Sequence, residues 1–302
     1  MLLRAPHRWG ILFLTALLAC AITTIAAASP RHHRITIRHA AHGGPHRHHH
    51  GRHNPPGGCY ARSAIVVDPV TDEVLFNKNA DSSVPIASLS KLMTAMVFLE
   101  QQPNLKRSVV IAREDWVGAG HTQLRVAEVA ELGDLLHMSL MVSDNCATRT
   151  LVRESGISAE DFLARMNRKA LELGMNHTRF VEFTGLDERN VSSASDVARM
   201  LRAAAGVPLI HEISTMREYE FASAHRTHAF RNTDRLLYGN RYEIMGGKTG
   251  FISEAGYCFA TWIRTEGRDM IAVVLGAPTA ATRFADTVRL VQRATTVSLA
   301  QP

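Results

Sequence analysis

Strand patterning occurs at two places far apart in this chain, and the stretch between them is helical. Ala64-Ile65-Val66-Val67 and Val74-Leu75-Phe76 flank the turn Asp68-Pro69-Val70-Thr71-Asp72, which predicts a hairpin. Strand signals return late. Tyr242 to Met245 leads into Gly246-Gly247, and Tyr257 to Ile263 is joined by Thr265-Glu266-Gly267 to Met270 to Leu275. Residues 86–204 instead place apolar residues three and four apart, as in Leu132, Leu135, Leu136 and Leu140, or Phe162, Met166 and Ala170. A closing helix over roughly 280–298 presents Phe284, Val288, Leu290, Val291 and Ala294. An isolated hairpin is marginal in water, so the early pair needs the late strands as partners. The expected fold is α+β: an antiparallel five-stranded sheet flanked by helices, with an inserted all-helical lobe. A cleft between the two parts is the expected binding site.

Charge divides the chain differently. Residues 1–67 hold eight arginines and no Lys, Asp or Glu, so the remainder carries −2 (+6 overall less +8). A basic nucleic-acid-binding face on the folded body is therefore not expected. Residues 1–28 read as an export signal, with Arg4, His7 and Arg8 before an apolar run from Trp9 to Ile25 and Ala26-Ala27-Ala28 as a cleavage site. An uncleaved anchor and a lipoprotein site at Leu17-Leu18-Ala19-Cys20 are the competing readings. Export permits disulfides, but Cys59, Cys146 and Cys258 cannot all pair within one chain. Residues 29–58 hold nine of the sixteen histidines, with Arg, Gly and Pro. Their composition predicts a disordered cationic spacer. Weak metal binding by the imidazoles is the alternative, although no fixed ligand spacing is present. The folded catalytic part is expected over 59–302.

Three short polar motifs carry the chemistry. Ser88-Leu89-Ser90-Lys91 opens an apolar helical stretch (Leu92, Met93, Met96, Val97, Leu99). Free N–H groups at a helix start favour a developing anion. Lys91, three residues on, shares a face with Ser88 and could take its proton. Alone the motif is weak, because Ser88 could simply cap a helix and Ser-x-x-Lys arises by chance about once in such a length. Ser143-Asp144-Asn145 lies between two helical stretches and could likewise be an ordinary turn. Lys248-Thr249-Gly250 ends an apolar strand after two glycines that permit close approach. A lysine beside a threonine hydroxyl suits a carboxylate.

In this order and these contexts the three motifs resemble the set shared by penicillin-binding proteins and class A β-lactamases. The resemblance runs from about Ala61 to Gln292. It is nearest to the low-molecular-mass D-alanyl-D-alanine carboxypeptidase and endopeptidase family, in Met166-Asn167-Arg168-Lys169-Ala170, Leu173-Gly174-Met175, Thr178-Arg179-Phe180, Thr184-Gly185-Leu186 and Ser195-Asp196-Val197-Ala198. Lys248-Thr249-Gly250-Phe251-Ile252 and Glu254-Ala255-Gly256-Tyr257-Cys258 resemble its endopeptidase subgroup, which is similarly short after the closing helix. Residues 232–234 read Asn-Thr-Asp where the resemblance leads one to expect Asn-Thr-Asn.

The resemblance implies a β-lactamase/DD-peptidase-like fold and a penicillin-sensitive serine peptidase for D,D bonds in peptidoglycan stem peptides, working outside the cytoplasm without metal or organic cofactor. Ser88 would be the nucleophile, Lys91 its base and Ser143 a proton shuttle. Asn145 would bind the acyl-side amide, Lys248, Thr249 and Gly250 the terminal carboxylate. The N–H groups of Ser88 and Phe251 would hold the oxyanion. Lys248 and the positive helix end are expected to lower the pKa of Lys91. The rivals are a class A-like β-lactamase and a catalytically silent peptidoglycan-binding protein. Residues 160–192 lack the Glu-x-x-Leu-Asn pattern of a deacylating loop and have Glu182-Phe183-Thr184-Gly185-Leu186 instead.

Overall fold

A computed structural model describes residues 58–223 and 226–299. The expected export signal, and all but the last residue of the His/Arg-rich segment, lie outside the described residues.

Strands β1 (Ser63–Val67) and β2 (Val74–Lys78) form the early hairpin, and β3 (Val84–Pro85) follows. A single 3-10 turn, Ala87–Leu89, then leads directly into α1 (Ser90–Glu100). Next come β4 (Ser108–Val110), α2 (Arg113–Trp116), β5 (Val129–Glu131), α3 (Leu132–Met141), α4 (Asn145–Arg153), α5 (Ala159–Glu172), β6 (Val191–Ser192), α6 (Ala194–Ala205) and α7 (Pro208–Thr215). Side-chain caps start three of these helices: Asp144 accepts from the Ala147 N–H, Ser158 from Asp161 and Ser193 from Asp196. The chain closes with β7 (Glu218–Ala222), β8 (Thr227–Arg231), β9 (Glu243–Ile252), β10 (Gly256–Thr265), β11 (Arg268–Ala277) and α8 (Ala280–Leu299).

The early hairpin does join the late strands. The main sheet is antiparallel, five-stranded, in the order β2-β1-β11-β10-β9. Period-two alternation decides which side chains go where. Ala64, Val66, Ala272 and Val274 point to the face covered by α8, where Leu290, Val291 and Ala294 pack on them. Ile65, Ile271, Val273 and Leu275 point to the opposite face, against α6 and the large helical core.

Two expectations need correction. The inserted lobe is not all-helical, because β4 pairs with β5 and a β7–β8 hairpin precedes the last three strands. That hairpin reads EYEFA and THAFR, so its few apolar residues fall beside charges and the alternation is easy to miss. The Lys248-Thr249-Gly250 motif lies inside β9 rather than at a strand end. β9 absorbs the irregularity at Gly246 with a register shift against β10, between Trp262 and Ile263. The three cysteines are free and separately buried. No helix among the described residues is long and apolar enough to cross a membrane.

Candidate active site

The 3-10 turn sets the position of Ser88. Ile86 and Ala87 are buried, Ala87 adopts a left-handed φ of 50°, and Ser88 is half-buried at the head of α1. Two glycines make this turn possible by lying directly against it. A Cβ on Gly185 would fall 2.0 Å from the Ala87 carbonyl oxygen, and one on Gly250 3.0 Å from the backbone N of Ser88. Neither position has room for a side chain, so the Thr184-Gly185 loop and β9 are both held against the turn.

Lys91 joins the first two motifs. Its fully buried Nζ donates to Ser88 Oγ at 3.0 Å, to Asn145 Oδ1 at 2.5 Å and to the Thr184 carbonyl at 2.6 Å. Its pKa falls to about 7, chiefly through burial, with Arg149 adding to the fall and Glu182 and Asp144 opposing it. The lowering agrees with expectation, but its main cause is desolvation rather than Lys248. Asn145 is fixed at its other end, where Nδ2 donates to the Ala119 carbonyl at 2.8 Å.

Ser143 occupies the break between α3 and α4 with φ 63°, a strained choice for a non-glycine residue, and its buried Oγ has no hydrogen-bond partner. The third motif arrives from the sheet. Lys248 is buried, donates to the Thr249 carbonyl at 3.0 Å and has its pKa pushed well down by burial, then by Lys91 and by Arg283. Thr249 Oγ1 shares a 2.7 Å hydrogen bond with Thr233 Oγ1, and Thr233 Oγ1 donates to the Met141 carbonyl at 3.0 Å. That chain of bonds ties β9 to the end of α3, two residues before Ser143. Phe251, next along β9, is half exposed and stacked on Tyr257 with ring centroids 4.3 Å apart. Ser88, Lys91, Asn145 and Gly250 are thus linked by direct contacts, Thr249 adjoins Gly250 in β9, and Lys248 is close enough to feel the charge of Lys91.

Four supporting residues were given no role by the sequence reading. Glu182 braces the Thr184-Gly185 loop: its carboxylate accepts from the Thr184 N–H and hydroxyl at 2.7 and 2.6 Å, from the Gly185 N–H, and from Asn190 Nδ2 at 2.9 Å. Thr233 bridges α3 and β9, and Arg283 of α8 donates to the Gly250 carbonyl at 3.2 Å. The Thr233 and Arg283 contacts join positions far apart in sequence, so no local pattern announces them.

The fourth is Asp234, at the position where asparagine was expected. It is buried, its Oδ1 accepts from the Leu236 N–H at 2.8 Å, and its Oδ2 has no partner. Burial raises its pKa to about 7, against the smaller opposing effects of the Leu236 N–H and Arg283. The folded state therefore holds a proton that the unfolded chain releases near pH 3.8, and stability falls as pH rises from there to about 7. Asp234→Asn keeps the Oδ1 acceptor and removes the buried charge. Its extra buried N–H groups offset part of the gain, so we expect about 2 kcal/mol of added stability at pH 8 and almost none at pH 4. Urea unfolding at the two pH values measures this, and an equal effect at both would refute it.

A serine hydroxyl bonded to a buried lysine that is half neutral near pH 7 defines the class, a hydrolase of the serine type. The chain belongs to the D-alanyl-D-alanine carboxypeptidase family, whose pattern matches residues 50–279. It is 38% identical over 232 residues to the D-alanyl-D-alanine endopeptidase of Escherichia coli, covering 76% of this chain and 75% of that one. Among solved structures it resembles penicillin-binding protein D2 from Listeria monocytogenes in its cefotaxime-bound form, at 33% identity and a TM-score of 0.68, covering 78% of this chain and 98% of that one. The Streptomyces K15 DD-transpeptidase matches at 25% identity and a TM-score of 0.73, covering 79% and 98%. These likenesses bear out the expected fold and the serine D-alanyl-D-alanine peptidase activity.

Proposed function

We propose that this enzyme cleaves D,D-peptide bonds of peptidoglycan outside the cytoplasm through an acyl-enzyme on Ser88, and that β-lactams acylate the same serine. The observation that carries the reading is the buried Lys91 ammonium on Ser88 Oγ, with a pKa brought to about 7. Neutral Lys91 takes the Ser88 proton as Oγ attacks the carbonyl of the penultimate D-alanine. The N–H groups of Ser88 and Phe251 stabilise the oxyanion. The proton passes through the unpartnered Ser143 hydroxyl to the leaving amine as the C–N bond breaks. Asn145 holds the acyl-side amide. Lys248 and Thr249 hold the carboxylate, whose charge favours the protonated form that burial disfavours in Lys248. Water then hydrolyses the ester.

Support for a peptidase rather than a β-lactamase comes from Glu182. It lies in the region of a deacylating loop, and its carboxylate is taken up by Thr184, Gly185 and Asn190. With that carboxylate committed to bracing the loop rather than to a water, a β-lactam adduct persists.

The similarity to endopeptidases favours cleavage of cross-links over trimming of terminal D-alanine. Digestion of purified sacculi followed by mass analysis separates the two. Conversion of cross-linked dimers to monomers is the expected result. Release of free D-alanine alone would assign a carboxypeptidase, and no product from either bond would sink the peptidase reading.

A further inference from the structure

The second serine of the first motif takes no part in the chemistry above, yet Ser90 is fully buried immediately before Lys91. Its Oγ donates to the Ala87 carbonyl at 3.0 Å and so pins the left-handed residue that turns the chain into Ser88. Behind Ser90 lies Asn190, also fully buried, at the entrance to β6. Every polar atom of Asn190 is engaged. Its Nδ2 donates to Ser90 Oγ at 3.2 Å, to the Glu182 carboxylate at 2.9 Å and to the Glu182 carbonyl at 3.0 Å. Its Oδ1 accepts from the Val181 and Glu182 N–H groups at 2.7 and 3.2 Å. Its own carbonyl accepts from the Ile86 N–H at 3.2 Å, and its N–H donates to the Asp187 carbonyl at 3.0 Å.

One side chain therefore stands behind both reacting groups. Through Ser90, and through its backbone at Ile86, Asn190 reaches the turn that presents Ser88. Through Glu182 it reaches the Thr184-Gly185 loop, whose Thr184 carbonyl accepts from Lys91 Nζ and whose Gly185 lies against Ala87. A buried donor or acceptor left without a partner is costly, so this network has one arrangement in which all its bonds are made. The charged groups around Asn190 are Glu182, Lys91 beyond the Thr184 carbonyl, and on its own loop the exposed Glu188 and the Asp187–Arg189 pair.

We infer that Asn190 is a positioning residue for acylation, holding the Ser88 turn and the acceptor of Lys91 in register from behind the site. This rests on the peptidase reading for the reaction concerned, and the test separates the two. Acylation of the full-length protein by a fluorescent penicillin is followed by stopped flow at pH 5.5 and pH 8, below the unfolding temperature of every variant. The traces are resolved into a binding constant for the penicillin and a rate constant for acylation. Asn190→Ala should lose at least about tenfold in the rate constant at both pH values, with the binding constant within about twofold of the unaltered enzyme's. Asn190→Asp keeps the Oδ1 acceptor and sets a second carboxyl beside Glu182. Two carboxyls in contact share a proton, so the new group is a neutral O–H donor at low pH and an anion at high pH. Its rate constant should lie within about threefold of the unaltered enzyme's at pH 5.5 and fall at least about tenfold below it at pH 8. Val291→Ala, which opens the core on the opposite face of the sheet, should unfold at lower temperature yet be acylated at the unaltered rate. Unaltered rates in Asn190→Ala, a loss in Asn190→Asp that is the same at both pH values, or an equal loss in Val291→Ala would overturn the positioning role while leaving the peptidase reading in place. Absence of acylation in the unaltered enzyme would instead remove the peptidase reading, and this inference with it.

Discussion

Ser88→Ala is expected to abolish covalent labelling by a fluorescent penicillin and to lower D,D-peptide hydrolysis on the order of 10⁴-fold or more. The fold should survive, because Lys91 keeps two of its three acceptors, Asn145 Oδ1 and the Thr184 carbonyl. Thermal unfolding should therefore move by only a few degrees, the size expected for one lost hydrogen bond. Mass spectrometry after exposure to penicillin gives the decisive reading. An adduct on the Ser88→Ala protein would transfer the nucleophile's role to another group.

The second large effect concerns the base. In the folded enzyme Lys91 is protonated below about pH 7 and neutral above it. Only the neutral amine can take a proton from Ser88, so the acylation rate should climb with pH and level off above about 7, far below the ordinary lysine value of about 10.4. Lys91→Arg removes this limb, since a guanidinium does not deprotonate, and should slow acylation by about 10²–10⁴-fold. The bulkier head group also has to fit a fully enclosed site, so Lys91→Gln, which is neutral and shorter, serves as the companion variant. Both should be nearly inactive, and Lys91→Gln should show no pH limb near 7. An active Lys91→Arg enzyme would refute the assignment.

The same desolvation has a cost in stability. A lysine whose pKa is lowered on folding binds fewer protons in the native state than in the unfolded chain between about pH 7 and the ordinary lysine range. Stability should rise across that window as the unfolded chain loses its proton. Asp234 acts in the opposite sense below pH 7, so the two buried groups together disfavour the fold near neutrality.

Much of this protein was legible before any coordinates, for reasons that can be named. Period-two runs at Ser63–Val67, Tyr257–Ile263 and Met270–Leu275 fix which side chains leave which face of a sheet, and the helical spacing after residue 86 fixes the insert. The three motifs were visible because the chemistry needs particular residue types at short spacing: a spacing of three from Ser88 to Lys91 places both on one helix face. The β7–β8 hairpin was hidden because charges alternate with only a few apolar positions, and the position of Lys248 inside β9 was hidden by glycines that read as a strand end.

By itself the sequence determined the sheet and the mainly helical insert, and it nominated Ser88, Lys91, Ser143, Asn145, Lys248 and Thr249 as candidate site residues. What it could not determine is why Lys91 can act as a base. That depends on complete burial beneath the Thr184 loop, on the brace that Glu182 gives that loop, and on Gly185 and Gly250 pressing against the Ser88 turn. Local sequence encodes residue type and periodicity, whereas desolvation is a property of everything packed around a group. Only the tertiary structure brings residues 91, 145, 184 and 248 into one enclosed space, and the lowered pKa of the lysine arises there.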